Sequence, residues 1–202
     1  MVNNYKAHPW HGIAIGEQAP DMITAFIEIV PTDTVKYEID KDSGYLKIDR
    51  PQKFSNVVPT LYGFVPRTFC DTLIAAYASE KSGQTVDRGD GDPLDICVLC
   101  EHTITHGDII LQAIPIGGLR LIDKGEADDK IIAVMKDASY NNWHDITDVP
   151  VSIVNRLKHY FLTYKNLPGE PATCEIAGVY GRQEAHEVIR KSMEDYKNKF
   201  HK

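Results

Sequence analysis
Apolar positions in the first two thirds of the chain fall into short β-rich runs. Thr24 to Val30 (TAFIEIV) and Val35 to Asp40 (VKYEID) are two of them, and Lys41-Asp42-Ser43-Gly44 supplies turn chemistry before a third, Tyr45 to Arg50 (YLKIDR). This order predicts a meander of hairpins. Further on, Leu94 to Leu99, Ile109 to Ile116 and Lys130 to Met135 are aliphatic or β-branched runs separated by Gly and Asp loops, the pattern expected of a barrel or closed sheet. The period then changes. From Pro150 onward, Val151, Val154, Leu157, Phe161 and Tyr164 recur at helical spacing, with Asp148 as the candidate N-cap and Pro150 suited to the first turn. A second amphipathic helix follows, with Ala185, Val188, Ile189, Met193 and Tyr196 on one face. The expected architecture is α+β and mainly β: a barrel-like core with two C-terminal helices packed outside it.

At 202 residues, 43% hydrophobic and 25% charged, the chain has the size and composition of one compact domain over 1–202, and no repeat, low-complexity tract or linker divides it. With 29 acidic residues against 22 basic ones, the net charge of −7 argues against broad nucleic-acid or membrane-surface binding. An acidic protein that handles a polyanion needs metal ions as intermediaries. No stretch approaches the ~20 apolar residues of a membrane-spanning helix, and MVNNYKAHPWHG lacks the charged-then-apolar order of a secretory signal, so the cytoplasm is the expected location. Without such a signal, Cys70, Cys97, Cys100 and Cys174 read as reduced thiols rather than a disulfide scaffold.

Charge placement then points to chemistry. In Val35 to Asp40 the strand period puts Val35, Tyr37 and Ile39 on a core face and Lys36, Glu38 and Asp40 on an ionic one, which by itself favours a solvated outer face. Glu28 is different: it shares its side of TAFIEIV with Phe26 and Val30, and a carboxylate among apolar neighbours is costly unless paired or metal-bound, so it is expected to face a polar cavity. Asp90-Gly91-Asp92-Pro93-Leu94-Asp95 is a turn loaded with three carboxylates that runs into a strand. Their repulsion is relieved by proton uptake or by hard cations that take oxygen ligands, magnesium first among them. An exposed acidic turn would not place Asp95 inside an otherwise apolar strand. A second acidic loop, Asp123 to Lys130, joins two further strands and offers the other half of a multi-metal site that could clamp a phosphoryl displacement. Lys36, Arg50, Lys130 and Lys165, with Tyr62 and Tyr164, are candidates to hold phosphate oxygens.

Taken in order, these motifs resemble the soluble inorganic pyrophosphatases with a D-G-D-P-x-D signature. The resemblance runs from about residue 24 to 165: Lys36-Tyr37-Glu38, Asp40-Lys41-x-Ser43-Gly44, Asp49-Arg50, Tyr62-Gly63-Phe64 with Pro66, Asp90 to Asp95, Asp123 to Lys130, and Tyr164-Lys165. His8-Pro9-Trp10-His11 also resembles the start of some members. The resemblance implies a small closed five-stranded OB-like β-barrel, three or four Mg²⁺ ions, and hydrolysis of pyrophosphate to two orthophosphates. It implies that Asp90, Asp95 and Asp128 hold the first metal, that Asp95 bridges to the second, and that Asp123 joins Asp128 at a third. The attacking water would lie between two metals and lose its proton towards Asp92, the general base. Glu28 and Glu38 would complete the metal and water shell, while Lys36, Arg50, Tyr62, Tyr164 and Lys165 would hold phosphate. A homo-oligomer is implied too, hexameric in bacterial-type members and dimeric in eukaryotic ones.

Three features depart from the family pattern. Lys124 stands where many members carry an acidic or amide residue, Val58 where many have a substrate-side tyrosine, and the segment Arg67 to Arg88 is longer than in compact members, as a surface excursion or an oligomer contact. Cys97 and Cys100, three apart in a strand, read as structural thiols; His102 and His106 as surface or packing residues; Gly117-Gly118 as a strand kink. The residues also admit a metal-dependent nucleotide or polyphosphate hydrolase and, from another class, a non-catalytic divalent-cation-binding protein. An aspartyl-phosphate phosphatase is disfavoured, because Asp90 and Asp92 precede an apolar strand rather than follow one.

Overall fold
The computed structural model describes residues 6–140, 142–167 and 169–200; the two ends of the unit expected over 1–202 lie outside the described residues. Strand β1 (Ile23–Ile29) is followed by a two-stranded hairpin, β2 (Val35–Ile39) with β3 (Leu46–Pro51), as the meander pattern predicts. Next come β4 (Leu61–Phe64), helix α1 (Thr72–Ser82), the short β5 (Arg88–Gly89) and β6 (Asp95–Leu99). The long β7 (Ile109–Asp123), the short β8 (Glu126–Ala127) and β9 (Lys130–Met135) complete the sheet-forming middle. The chain ends with α2 (Val151–Thr163), β10 (Cys174–Gly181) and α3 (Arg182–Phe200).

Pairings run β1 to β4, β4 to β6, β6 to β9, β9 to β7 and, through the first residues of β7, back to β1. All are antiparallel except β6 with β9. β7 extends past Ile116 because its glycines bend it rather than end it. The register with β9 shifts between Pro115 and Gly117, and a Cβ at Gly117 or Gly118 would fall 2.5 Å from the Tyr180 carbonyl or 2.4 Å from the Tyr180 ring. The glycine pair thus lets β10 lie against β7.

Period-two alternation directs most buried apolar residues into two clusters, while Phe26, Ile39 and Phe64 join Trp10, Phe69 and Tyr196 in a smaller third. Ile23, Ala25 and Ile27 of β1, with Ile131 and Ala133 of β9, pack with the buried side chains of α1 and α3. Leu119 and Leu121 of β7, with Ile132 and Val134 of β9, pack with Leu157 and Phe161 of α2. Of the residues expected on the first C-terminal helix, Val151 is exposed rather than packed, because it stands in the first turn ahead of the apolar stripe. Nor does Asp148 cap that helix: its side chain accepts the amides of His144 and Asp145, and Pro150 is the N-cap. The segment after Pro66 is not a surface excursion. It forms α1, whose Ile74, Ala75, Tyr77 and Ala78 are buried. Val58 is core, packed with Ile29, Cys97 and Leu99, and Lys124 is exposed in a turn with φ 54° beside Gly125 at φ 83°.

Candidate active site
The two acidic segments lie side by side because their backbones are joined. β5 pairs in parallel with β8, Gly89 opposite Ala127, and the Asp90 amide donates to the Ala127 carbonyl at 3.3 Å. Gly91, at φ 75°, turns the chain, and the Asp92 amide donates to Asp90 Oδ1 at 3.0 Å. The turn is held from behind by Cys70, whose carbonyl accepts from Gly91 and whose amide donates to the Asp92 carbonyl. Asp95 then opens β6 directly opposite Lys130, the first residue of β9.

Lys130 is the electrostatic centre of the arrangement. Its side chain is 3% exposed and its ammonium contacts both Asp95 and Asp128. Burial alone would depress this ammonium, but the two carboxylates outweigh it and hold the group protonated well above the usual lysine range. Tyr62, partly buried, donates to Asp95 at 2.6 Å. Burial and then the charge of Asp128 push the Asp90 carboxyl well up, and burial also raises Asp128.

Glu28 is the extra residue where the β1–β4 register slips between Ile27 and Ile29, and such a bulge re-aims a side chain. Its Oε1 accepts the Ile39 amide at 2.6 Å, and burial, with the nearby Asp95, pushes its carboxyl up to about 8. On β2, Lys36 bonds Asp49 at 2.8 Å and Glu38 at 3.1 Å. Lys165, just beyond α2, pairs with Asp123, and Tyr164 stacks on Tyr160 at a centroid distance of 5.1 Å.

These side chains line one cavity of about 270 Å³. Glu28, Glu38, Asp90, Asp92, Asp95, Asp123 and Asp128 line it, as do Lys36, Tyr62, Lys130, Tyr164 and Lys165. The β2 ionic face is therefore not a solvated outer face: Lys36 and Glu38 turn inward, whereas Asp40 bonds Ser43 and closes the hairpin turn. Of the predicted site residues, Arg50 alone is not among the lining residues. It stands opposite Lys36 on β3 and contacts Asp49. Two lining charges were not singled out from the sequence, Lys41, which pairs with Asp92, and Glu126, which pairs with Arg88. Lys41 lies just past the strand alternation that exposed Lys36 and Glu38, so its only signal was the turn motif.

Eight carboxylates and four ammonium groups line the cavity, a formal excess of four negative charges. Among the described residues no group of three or more His, Cys, Asp or Glu is arranged to hold a metal ion; the Lys130 ammonium stands between Asp95 and Asp128 instead. The donor set nevertheless suits hard divalent cations. Every acid offers oxygen, no thiol or imidazole lines the space, and Asp123 Oδ1 is buried without a hydrogen-bond partner.

A model of the inorganic pyrophosphatase family matches residues 25–197. An inorganic pyrophosphatase of Chlamydia caviae is 53% identical over 96% of this chain and 92% of that protein. The soluble inorganic pyrophosphatase 2 of Chlamydomonas reinhardtii is 35% identical over 96% and 91%. The crystal structure of the Thermus thermophilus inorganic pyrophosphatase superposes with a TM-score of 0.79, covering 95% of this chain and 99% of that one at 28% identity. Identity of this level along nearly the whole length, with the same fold, places the chain in the family of soluble inorganic pyrophosphatases.

Proposed function
We propose that the cavity is where this inorganic pyrophosphatase hydrolyses pyrophosphate to two orthophosphates, and that the clustered aspartates do so with bound Mg²⁺. The observation that carries this reading is the charge balance of the lining: eight acids against four ammonium groups in about 270 Å³ are a formal excess that raised carboxyls such as Glu28 offset by holding protons and that divalent cations would offset when bound. The family uses a divalent metal, typically Mg²⁺, and we read the count as three or four. When bound, the metal supplies Lewis-acid polarisation of the phosphate oxygens and a more acidic water.

Asp90, Asp95, Asp123 and Asp128 are the residues that would hold it, with Glu28 and Glu38 completing the shell. Asp92 takes the proton of the attacking water. Its side chain is 44% exposed, against 20% for Asp95 and 12% for Asp128, so it is the most open of the three to solvent. Lys36, Lys130 and Lys165 offer point charges to the phosphates, and the Tyr62 and Tyr164 hydroxyls orient them. Arg50, across the hairpin from Lys36, joins them by swinging from Asp49.

We read the ring of five paired strands as a small closed OB-like barrel and 1–202 as one domain, cytoplasmic and homo-oligomeric, hexameric if of bacterial type. Sedimentation of the purified protein tests the assembly. The function is tested by phosphate release from pyrophosphate, ATP and tripolyphosphate with Mg²⁺, with Mn²⁺ and in EDTA. Turnover of pyrophosphate above the other two, abolished by EDTA and restored by Mg²⁺, is expected; full activity in EDTA would overturn the metal-dependent reading.

A further inference from the structure
The segment 128–130 presents its side chains to two sides of the sheet. Asp128 and Lys130 line the cavity, whereas Asp129, 2% exposed, turns the other way. There its Oδ2 accepts from Arg120 Nη2 at 3.4 Å and from the Tyr180 hydroxyl at 3.3 Å. Arg120, on β7, is also buried. Its guanidinium lies 5.3 Å from the Tyr77 ring centroid on α1 and 5.0 Å from that of Tyr180 on β10, and Nη1 donates to Glu184 on α3 at 2.6 Å. Four elements thus meet at one guanidinium, among them α1, the segment for which the sequence suggested no function.

Stability alone is a poor reason for this pair. Desolvating both ions offsets most of their attraction, and here Arg120 Nε and Asp129 Oδ1 are left without hydrogen-bond partners. Apolar side chains of similar volume would fill the space at least as well. What they would lack is a charged point of attachment. The Asp128 amide donates to the Leu121 carbonyl at 3.0 Å and Lys130 is paired with Leu119, so the two cavity residues are tied to the neighbours of Arg120 on either side.

We propose that Arg120 is a positioning residue for the reaction: it pins Asp129 behind the strand and thereby sets where Asp128 and Lys130 stand in the cavity, a role that rests on the site reading above.

The test compares Asp129→Asn, nearly isosteric, with the double variant Arg120→Met/Asp129→Leu, which refills the space with apolar atoms. For each, thermal unfolding, kcat and KM for pyrophosphate with Mg²⁺, and binding of Mn²⁺ alone by its EPR signal are measured. The double variant is expected to unfold close to the parent, yet to lose ~10- to 100-fold in kcat with a smaller change in KM. Its Mn²⁺ binding weakens several-fold, and Asp129→Asn moves kcat and Mn²⁺ binding the same way. A merely structural pair behaves otherwise: parental kcat and Mn²⁺ binding in the stable double variant overturn the proposal. Should the double variant not fold, Asp129→Asn and Arg120→Lys, which keeps the charge but not the fork, decide it, and parental values in both overturn it. Asp128→Asn is the control for the site. Parental kcat and Mn²⁺ binding there bring down the site reading and the proposal with it, whereas their loss beside unaffected Arg120 variants brings down the positioning role alone.

Discussion

Lys130 faces Asp95 across the parallel pair of strands β6 and β9 as its direct register partner, and from that position its ammonium also reaches Asp128. One buried cation therefore makes the proximity of two carboxylates from separate acidic segments tolerable. Replacing it with methionine removes the cation that these two partly buried acids share and leaves Asp95 only the Tyr62 hydroxyl, which in metal-free protein is expected to cost on the order of a few kcal/mol. Excess Mg²⁺ should then raise the Tm of Lys130→Met more than that of the parent. Thermal unfolding in EDTA and in Mg²⁺ checks this, and an equal rise in both proteins would show that the ammonium does not balance those acids.

Asp92 sits on a turn, its side chain 44% exposed and paired with Lys41. Asp92→Ala should therefore unfold near the parental temperature while turnover of pyrophosphate drops by at least ~10²-fold, the scale of a lost general base. Near-normal phosphate release from the variant would remove Asp92 from that role.

Glu28 links stability to pH. Burial, reinforced by Asp95, pushes its carboxyl from the ordinary 4.5 up to about 8 in the folded protein. Between those values the unfolded chain gives up a proton that the folded one keeps, so the contribution of Glu28 to stability is full below about 4.5 and is lost as pH rises through about 8. The loss is on the order of a few kcal/mol. Glu28→Gln cannot ionise and should flatten that part of the profile. In EDTA its Tm advantage over the parent is expected to be greater at pH 8 than at pH 5; equal advantages would contradict the assignment.

Asp195, on α3, supplies the cap that α1 lacks. Its carboxylate accepts the amides of Asp71 and Leu73 at 3.1 Å and of Ile74 at 3.2 Å, while the side chain of the N-cap residue, Asp71, makes no capping bond. Asp195→Ala should cost about 1–2 kcal/mol. Amide exchange should accelerate first at the start of α1, and unchanged protection there would refute the cap.

Much of the site was legible along the chain because its pieces are local. Three aspartates in six residues and a carboxylate among apolar strand neighbours are unusual in water-facing segments, and each carries an electrostatic cost that has to be met, whereas the alternation of Lys36, Glu38 and Asp40 by itself favours a solvated face. Both C-terminal helices were legible for the same reason: Val154, Leu157 and Phe161, like Ala185, Val188 and Ile189, are buried on one side only and leave a stripe. Helix α1 was not. Its segment TLIAAYASEKS buries Ile74, Ala75, Tyr77 and Ala78 on one face, but Leu73 and Ala76 are apolar outside that face and erase the contrast along the sequence, and its cap comes from a residue more than a hundred positions away.

By itself the sequence marked Asp90 to Asp95 and Asp123 to Lys130 as segments whose crowded carboxylates have to be met by protons or cations, because repulsion within a hexapeptide is the same in any fold. Tertiary structure alone decided that Asp95 and Asp128 share one ammonium, that Glu28 is turned by a bulge, that Arg50 stands beside the cavity rather than in it, and that Arg120 reaches Asp129 behind it. Those relations depend on strand register and on contacts between distant segments, and a shift of one residue in register would send each side chain to the other face of the sheet.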